Sequence, residues 1–145
     1  MNIQIRLCLP QDAETVAVVR SVALAALVQM GVTPDCIDDI RLALSEACAN
    51  VIEHAATDDY EVRLDVDSEC CAISVIDAGQ GVDVTTLPRT MPDPDSPRGR
   101  GIALMTALAD SLDFSAQPDA GTMVRIVKRL SLTADGPLAR LRRSQ

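Results

Sequence analysis

The chain has almost no aromatic residues, since it contains no tryptophan, one tyrosine and one phenylalanine among 145 residues. Proteins that bind single-stranded nucleic acid stack the bases on aromatic side chains, so this shortage argues against that class. Basic charge is also in deficit, because the net charge is -8 at pH 7, whereas a protein that binds duplex DNA needs a basic face. We therefore expect no direct contact with nucleic acid.

Histidine and paired cysteines are equally scarce. His54 is the only histidine and no C-x2-C pair exists, so a zinc site is not expected. An odd number of cysteines fits reduced thiols, and the N-terminus lacks a basic segment followed by an apolar run, so we expect a cytoplasmic protein without a signal peptide. The most apolar stretch, near residues 16–30, is interrupted by Arg20 and Gln29 and predicts a core helix rather than a membrane span.

Hydrophobic residues make up 48% of the chain, enough for one compact domain with an aliphatic core. Apolar residues alternate in five segments and recur at helical spacing in three others. The resulting order is strand, two helices, two strands, a long loop, helix and two strands. This order predicts an α+β sandwich, with helices packed on one face of a mainly antiparallel sheet.

The first helix and the C-terminal segment each have a distinctive composition. The first helix, from a cap at Asp12 to a stop at Gly31, is apolar nearly all round. We therefore expect it to be covered on two sides, with a partner chain as one candidate cover. Residues 1–130 are predicted to form the domain, and residues 131–145 a flexible basic tail.

Glu46 and Asn50 lie one helical turn apart on the second predicted helix, so their side chains share one face. For the pair alone, a solvated polar face is the favoured interpretation. The intervening residues are small and uncharged, however, which is unusual for a solvated face. A carboxylate beside a neutral amide also suits Mg²⁺, which takes few protein ligands and completes its shell with phosphate oxygens and water.

Two glycine-bearing segments follow. Asp77 ends a predicted strand before Gly79 and Gly81, which indicates either a turn with positive φ or close approach of the backbone to a flat base. The second segment, residues 98–101, precedes a short predicted helix. Its amides and arginines suit a phosphate, although a hinge with solvated arginines is about as good an explanation for the segment in isolation. Thr122 follows a glycine where a hairpin turn is the simplest interpretation.

Taken together, the segments SEACANVIEHA, DAGQG, RGRGIALM and GTMVRIVK resemble the GHKL ATPase family, whose fold is the Bergerat-type sandwich. Within it, the compact size and the form of the second helix are similar to the bacterial anti-sigma factors that are also serine kinases. The resemblance extends from Ile3 to about Leu130 and implies bound ATP and Mg²⁺.

The resemblance also implies a role for each motif residue. Glu46 would orient or deprotonate the attacking hydroxyl, and Asn50 would bind Mg²⁺ beside the nucleotide. Asp77 would accept the adenine amino group, with support from Thr122. The remaining nucleotide contacts would come from glycines that shape the base pocket and from a segment that closes on the phosphates, namely Gly79, Gly81, Arg98, Gly99, Arg100 and Gly101.

Partners are implied in the same way. Members of this group use the position of Arg20 to contact a sigma factor and a small antagonist of the STAS type, and they form homodimers through the first strand and helix. The predicted function is therefore an anti-sigma factor and protein-serine kinase that works by partner switching. Two rivals stay open: a nucleotide-sensing interaction module without catalysis, and the catalytic domain of a histidine kinase.

Overall fold

The computed structural model describes residues 2–54, 59–77, 100–117 and 121–144. Within these ranges the helices and strands follow the predicted order, and one further helix is present near the C-terminus. The elements are β1 (Ile3–Pro10), α1 (Ala13–Met30), α2 (Pro34–His54), β2 (Asp59–Val66), β3 (Cys70–Asp77), α3 (Arg100–Leu108), β4 (Ser111–Gln117), β5 (Gly121–Arg129) and α4 (Pro137–Ser144).

The strands form a five-stranded antiparallel sheet in the order β1-β2-β3-β5-β4. Alternate residues of β2 are buried, which gives the sheet one apolar face and one polar face. The helices cover the apolar face. On the polar face the exposed Arg6 and Arg63 both pair with Glu61. The predicted α+β sandwich, with helices on one face, is confirmed.

Helix α1 has the caps that the sequence predicts. The Asp12 carboxylate accepts a hydrogen bond from the amide of Glu14 at 3.0 Å. At the other end Gly31 adopts a left-handed conformation with φ of 85°, and its amide donates to the carbonyls of Leu27 and Val28. These two caps satisfy backbone groups that the helix leaves unpaired at its ends.

Only part of the apolar surface of α1 is buried. Val19 and Leu27 are fully buried against the rest of the core, whereas Val18 is 49% exposed and Val28 is 58% exposed. By length and composition α1 is the single helix in the described ranges that could cross a membrane. The core helix of a soluble protein can pass the same test, and one side of α1, with Val19 and Leu27, is buried in the core.

Helix α2 contacts α1, α3 and the sheet. Its buried face consists of Cys36, Ile40, Ala43, Leu44, Ala47, Cys48 and Val51. Lys128 of β5 ties this layer to the sheet, since its Nζ donates to the carbonyl of Leu108 at 2.7 Å and lies 3.4 Å from Oδ2 of Asp39. The two helices that carry predicted site residues are thereby anchored to one strand.

The prediction of a flexible tail is wrong for residues 131–144. Helix α4 lies in this range, and its Leu138 is fully buried in the common core. Arg142, assigned to the tail by its charge, donates through Nε to the carbonyl of Ser68 at 2.9 Å. The segment is ordered because an apolar side chain and a backbone-directed arginine attach it to the β2–β3 hairpin.

Two glycines allow this segment to approach the corner between α1 and α2. A Cβ atom on Gly31 would lie 2.7 Å from the Cα of Gly136, a distance that real Cβ contacts do not reach. The close approach lets the amide of Thr133 donate to the carbonyl of Gly31 at 2.8 Å, while the amide of Thr33 donates to Ser131 at 2.9 Å. The C-terminal segment is therefore fastened by backbone hydrogen bonds.

Candidate functional site

Three residues from three strands form a row at one end of the sheet. Tyr60 of β2 is directly opposite Asp77 of β3, and Asp77 is directly opposite Thr122 of β5. Residues opposed in an antiparallel pair project from the same face, and Tyr60 and Asp77 are both buried on the helix-covered face. Two of the predicted adenine-binding residues, Asp77 and Thr122, are thus neighbours in the row.

Asp77 is 3% exposed although it carries a carboxylate. Burial of a carboxylate is costly unless polar groups compensate it, so such residues at a strand end commonly serve a ligand or a network. Its position at the last residue of β3 is the one the sequence predicts. A buried acceptor at the end of a strand can receive an amino group of a planar base.

Glu46 and Asn50 lie on α2, and both are partly buried. Ala47 and Cys48, which stand between them in the sequence, are fully buried, so the two polar residues flank the buried face of the helix. Their carboxylate and amide oxygens are hard donors of the kind that Mg²⁺ prefers, and a set of only two leaves positions for phosphate and water. The residues present therefore fit a nucleotide-bound Mg²⁺.

A cation site built wholly from protein side chains is absent from the described ranges, where no group of three His, Cys, Asp or Glu residues could hold a metal ion. This agrees with the chemistry of Mg²⁺, which usually keeps several waters and binds through one or two protein ligands together with substrate phosphates.

The first turn of α3 contains Arg100 and Gly101, the last two residues of the predicted phosphate segment. The first amides of a helix lack partners within it and point outward, which favours an anion. Helix α3 packs directly along α2, so this turn belongs to the same helical layer as Glu46 and Asn50. The predicted residues Gly79, Gly81, Arg98 and Gly99 lie outside the described residues.

Tyr60 is the residue that the sequence analysis missed. Its hydroxyl lies 2.7 Å from Oγ1 of Thr15 in the first turn of α1. Burial raises the pKa of Tyr60, and the neighbouring Cys48 thiol adds a smaller upward effect. The sequence feature that could have indicated a special role is that the one tyrosine of the chain begins an otherwise aliphatic strand.

Cys48 is a buried residue of the helix that carries the predicted polar pair. It lies between Glu46 and Asn50, and α2 packs against β3, the strand that ends at Asp77. Burial raises the pKa of the Cys48 thiol to about 12, with a partial lowering by Arg20. Cys48 is fully buried and serves as a small apolar residue of the core.

Arg20 lies in an open groove between α1 and α2. A second guanidinium, that of Arg41, lines the same groove and forms an exposed ion pair with Asp38 at 3.3 Å. The remaining lining residues are small or apolar, namely Ala17, Ser21, Leu24, Leu42 and Ser45. The chain as a whole has a net charge of -8, whereas this groove presents two cations beside an apolar surface.

Known proteins share this sequence pattern and fold. The pattern of the histidine kinase-like ATPase domain family matches residues 9–128. A serine-protein kinase RsbW of Bacillus velezensis is 30% identical over 139 residues, which cover 88% of this chain and 86% of the relative. A serine-protein kinase RsbW of Bacillus thuringiensis is 29% identical over 154 residues, with 92% and 91% coverage.

The fold also matches a solved structure. The crystal structure of the RsbU and RsbW domains of Rv1364c from Mycobacterium tuberculosis superposes with a TM-score of 0.68 at 23% identity. The match covers 90% of this chain and 33% of that chain, so the present chain spans about a third of the length of that structure.

Proposed function

The chain belongs to the histidine kinase-like ATPase domain family, and from this premise we propose that it is an ATP-dependent protein-serine kinase that acts as an anti-sigma factor. Relatives named serine-protein kinase match nearly the whole chain, and their name supports serine as the acceptor. The observation that carries the proposal is that α2, the helix of Glu46 and Asn50, packs against β3, at whose end Asp77 is buried.

Nucleotide binding would use two parts of the site. The Asp77 carboxylate accepts a hydrogen bond from the adenine amino group, with Thr122 beside it in the row. The first turn of α3, together with Arg98 and Gly99 before it, contacts the phosphates, while Gly79 and Gly81 bound the base. Asn50 would hold Mg²⁺, which when bound neutralises charge on the phosphates.

Phosphoryl transfer needs positioning and charge stabilisation more than covalent participation by the protein. The serine hydroxyl oxygen of the substrate attacks the γ-phosphorus, and the bond from that phosphorus to the bridging oxygen of ADP breaks. Glu46 orients the hydroxyl and accepts its proton. Its position on α2 leaves the side chain partly exposed, so the carboxylate is accessible to a substrate hydroxyl.

The partners would be a sigma factor and a small antagonist protein of the STAS type, both binding at the groove around Arg20. The phosphate that the kinase adds to the antagonist weakens that contact through repulsion by the net negative charge of the chain outside the groove, and the sigma factor takes its place. A homodimer would form through β1 and α1, which is supported by the exposed Val18 and by the position of β1 at the edge of the sheet. The protein would act in the cytoplasm.

A nucleotide-sensing module without catalysis is the second candidate. It would use the same pocket and the same groove, and would have no need of Glu46 as a base. Incubation with ATP, Mg²⁺ and candidate STAS-type antagonists, followed by mass spectrometry, separates the two. Phosphoserine on the antagonist supports the kinase. Tight binding of an unmodified antagonist in the presence of ATP supports the sensor instead and overturns the kinase assignment.

A further inference from the structure

Tyr60 joins three elements of the candidate site through its side chain and its position in the sheet. It is 3% exposed and begins the buried alternation of β2. Its hydroxyl contacts Thr15 of α1, the thiol of Cys48 on α2 affects its ionisation, and its Cα partner on β3 is Asp77.

The direction of the hydrogen bond follows from proton counting. A serine or threonine hydroxyl has one proton to donate, and Thr15 Oγ1 lies 2.7 Å from the carbonyl oxygen of Asp12, which can only accept. Thr15 therefore donates to Asp12 and accepts from Tyr60. The result is a directed chain from Tyr60 to Thr15 to the backbone that caps α1.

This chain fixes the tyrosine ring. A tyrosine side chain has two main torsions, and a hydroxyl held at its far end leaves the ring little freedom. Directly opposed residues of an antiparallel pair have Cβ atoms about 5 Å apart, so a fixed ring on Tyr60 limits the space open to the Asp77 carboxylate. A hydrogen bond to α1 thereby restricts the side chains of Tyr60 and Asp77.

We propose that Tyr60 is a positioning residue for the nucleotide site, which, held by Thr15, restrains the Asp77 carboxylate in the orientation that receives a purine amino group. This inference rests on the proposed function, since it assumes that Asp77 binds the base. It assigns to Tyr60 a contribution to adenine selectivity and not merely to stability. The tyrosine does not itself touch the reacting atoms.

The test compares variants that remove or keep the hydrogen bond. Tyr60→Phe removes the donor and keeps the ring, Thr15→Val removes the acceptor, and Thr15→Ser keeps it. Calorimetry on the full chain with ATP and with GTP gives the two dissociation constants. Loss of one hydrogen bond is expected to weaken ATP binding about three- to ten-fold in the first two variants, with a smaller change for GTP. Thr15→Ser should retain the wild-type values.

Two controls separate positioning from stability. The double variant Tyr60→Phe/Thr15→Val should bind ATP no more weakly than either single variant, because both changes break the same bond. Thr133→Val removes the hydrogen bond that Oγ1 of Thr133 donates to the carbonyl of Gly31 at 3.1 Å. Thr133 belongs to the C-terminal segment, which packs against the β2–β3 hairpin at the end of the sheet opposite to Tyr60. The Thr133→Val change should lower the melting temperature and leave both nucleotide affinities unchanged.

The outcomes distinguish this inference from the function on which it rests. If the wild-type protein binds neither nucleotide, the proposed function fails and the inference with it. If the wild type prefers ATP and Tyr60→Phe keeps both the affinity and the preference, the proposed function survives and the positioning role is refuted. Equal weakening for ATP and GTP would also refute it, because that is the signature of a general structural defect.

Discussion

Asp77 and Thr122 are directly opposed Cα partners in the β3–β5 pair, although a helix, a further strand and a long segment of chain separate them in sequence. The pairing arises because β5 lies between β3 and β4 in the sheet. A carboxylate-bearing residue and a hydroxyl-bearing residue are thereby brought to one end of the sheet. Several measurable consequences depend on this row and on the elements packed over it.

Asp77→Asn should abolish most of the affinity for ATP while leaving the fold intact. The substitution preserves the shape of the buried side chain and removes the negative charge that accepts the amino group of adenine. A hydrogen bond to a charged group contributes about 1.5–3 kcal/mol, so the dissociation constant measured by calorimetry should rise about 10- to 100-fold. Asp113→Asn, an exposed change on β4, is the matched control. An unaltered dissociation constant in Asp77→Asn would remove Asp77 from the base pocket.

Glu46→Gln should separate binding from catalysis. The amide keeps the size of the side chain but cannot take up the proton of the substrate hydroxyl. General bases typically contribute at least about 100-fold, so kcat for antagonist phosphorylation should fall by that factor while ATP still binds. Asp35→Asn, an exposed change in the first turn of the same helix, should leave kcat nearly unchanged. Wild-type turnover in Glu46→Gln would exclude Glu46 as the base.

Leu138→Ala should strongly destabilise the protein, contrary to what a dispensable tail would allow. Leu138 is fully buried, and truncating a buried leucine to alanine costs about 2–5 kcal/mol. Urea denaturation followed by circular dichroism measures the loss in the free energy of unfolding. Leu42→Ala, at a site 43% exposed on α2, should cost less than about 1 kcal/mol. Equal stability losses in the two variants would contradict the packing of α4.

The buried thiols should resist alkylation at pH 8 in the folded protein. Burial raises the pKa of Cys48 and of Cys71 to about 12, and only the thiolate reacts. Cys8 is exposed and should be labelled first by iodoacetamide, as read by peptide mass spectrometry. Labelling in urea supplies the control, since all five thiols are then accessible. Modification of Cys48 at the rate of Cys8 would show that α2 opens readily.

The same shifts predict the direction of a pH effect on stability. In the unfolded chain a thiol ionises near its reference value of 9.0, whereas the folded protein keeps both protons until about pH 12. Above pH 9 the unfolded state therefore binds fewer protons than the folded state. The contribution of these thiols to stability is full below pH 9 and declines as the pH rises toward 12.

The sequence predicts the order of elements well because its local signals are strong. Asp12 and Gly31 cap α1 as expected, and the alternation in β2 reproduces the observed burial. These features depend on residues near each other in the chain. The burial of α1 is less well predicted, since a helix apolar nearly all round is expected to be covered on two sides, whereas Val22 is 36% exposed at the side that faces β1.

The parts that the sequence does not predict depend on long-range contacts. Arg142 lies in a segment too short and too basic to show an apolar period, and it is ordered by a carbonyl on the distant hairpin. Tyr60 gains its importance from Thr15 and from the register with Asp77, and neither can be derived from local spacing. The roles of the predicted site residues stay predictions until the variants above are measured.

The contact between Gly31 and Gly136 also has a consequence for biosynthesis. The first corner of the fold is completed by backbone hydrogen bonds from residues near the end of the chain, so it cannot close while those residues are still within the ribosome. A product that terminates early would leave the end of α1 uncovered and would be open to proteolysis. Closure of this corner during synthesis thus depends on the emergence of the segment that contains Gly136.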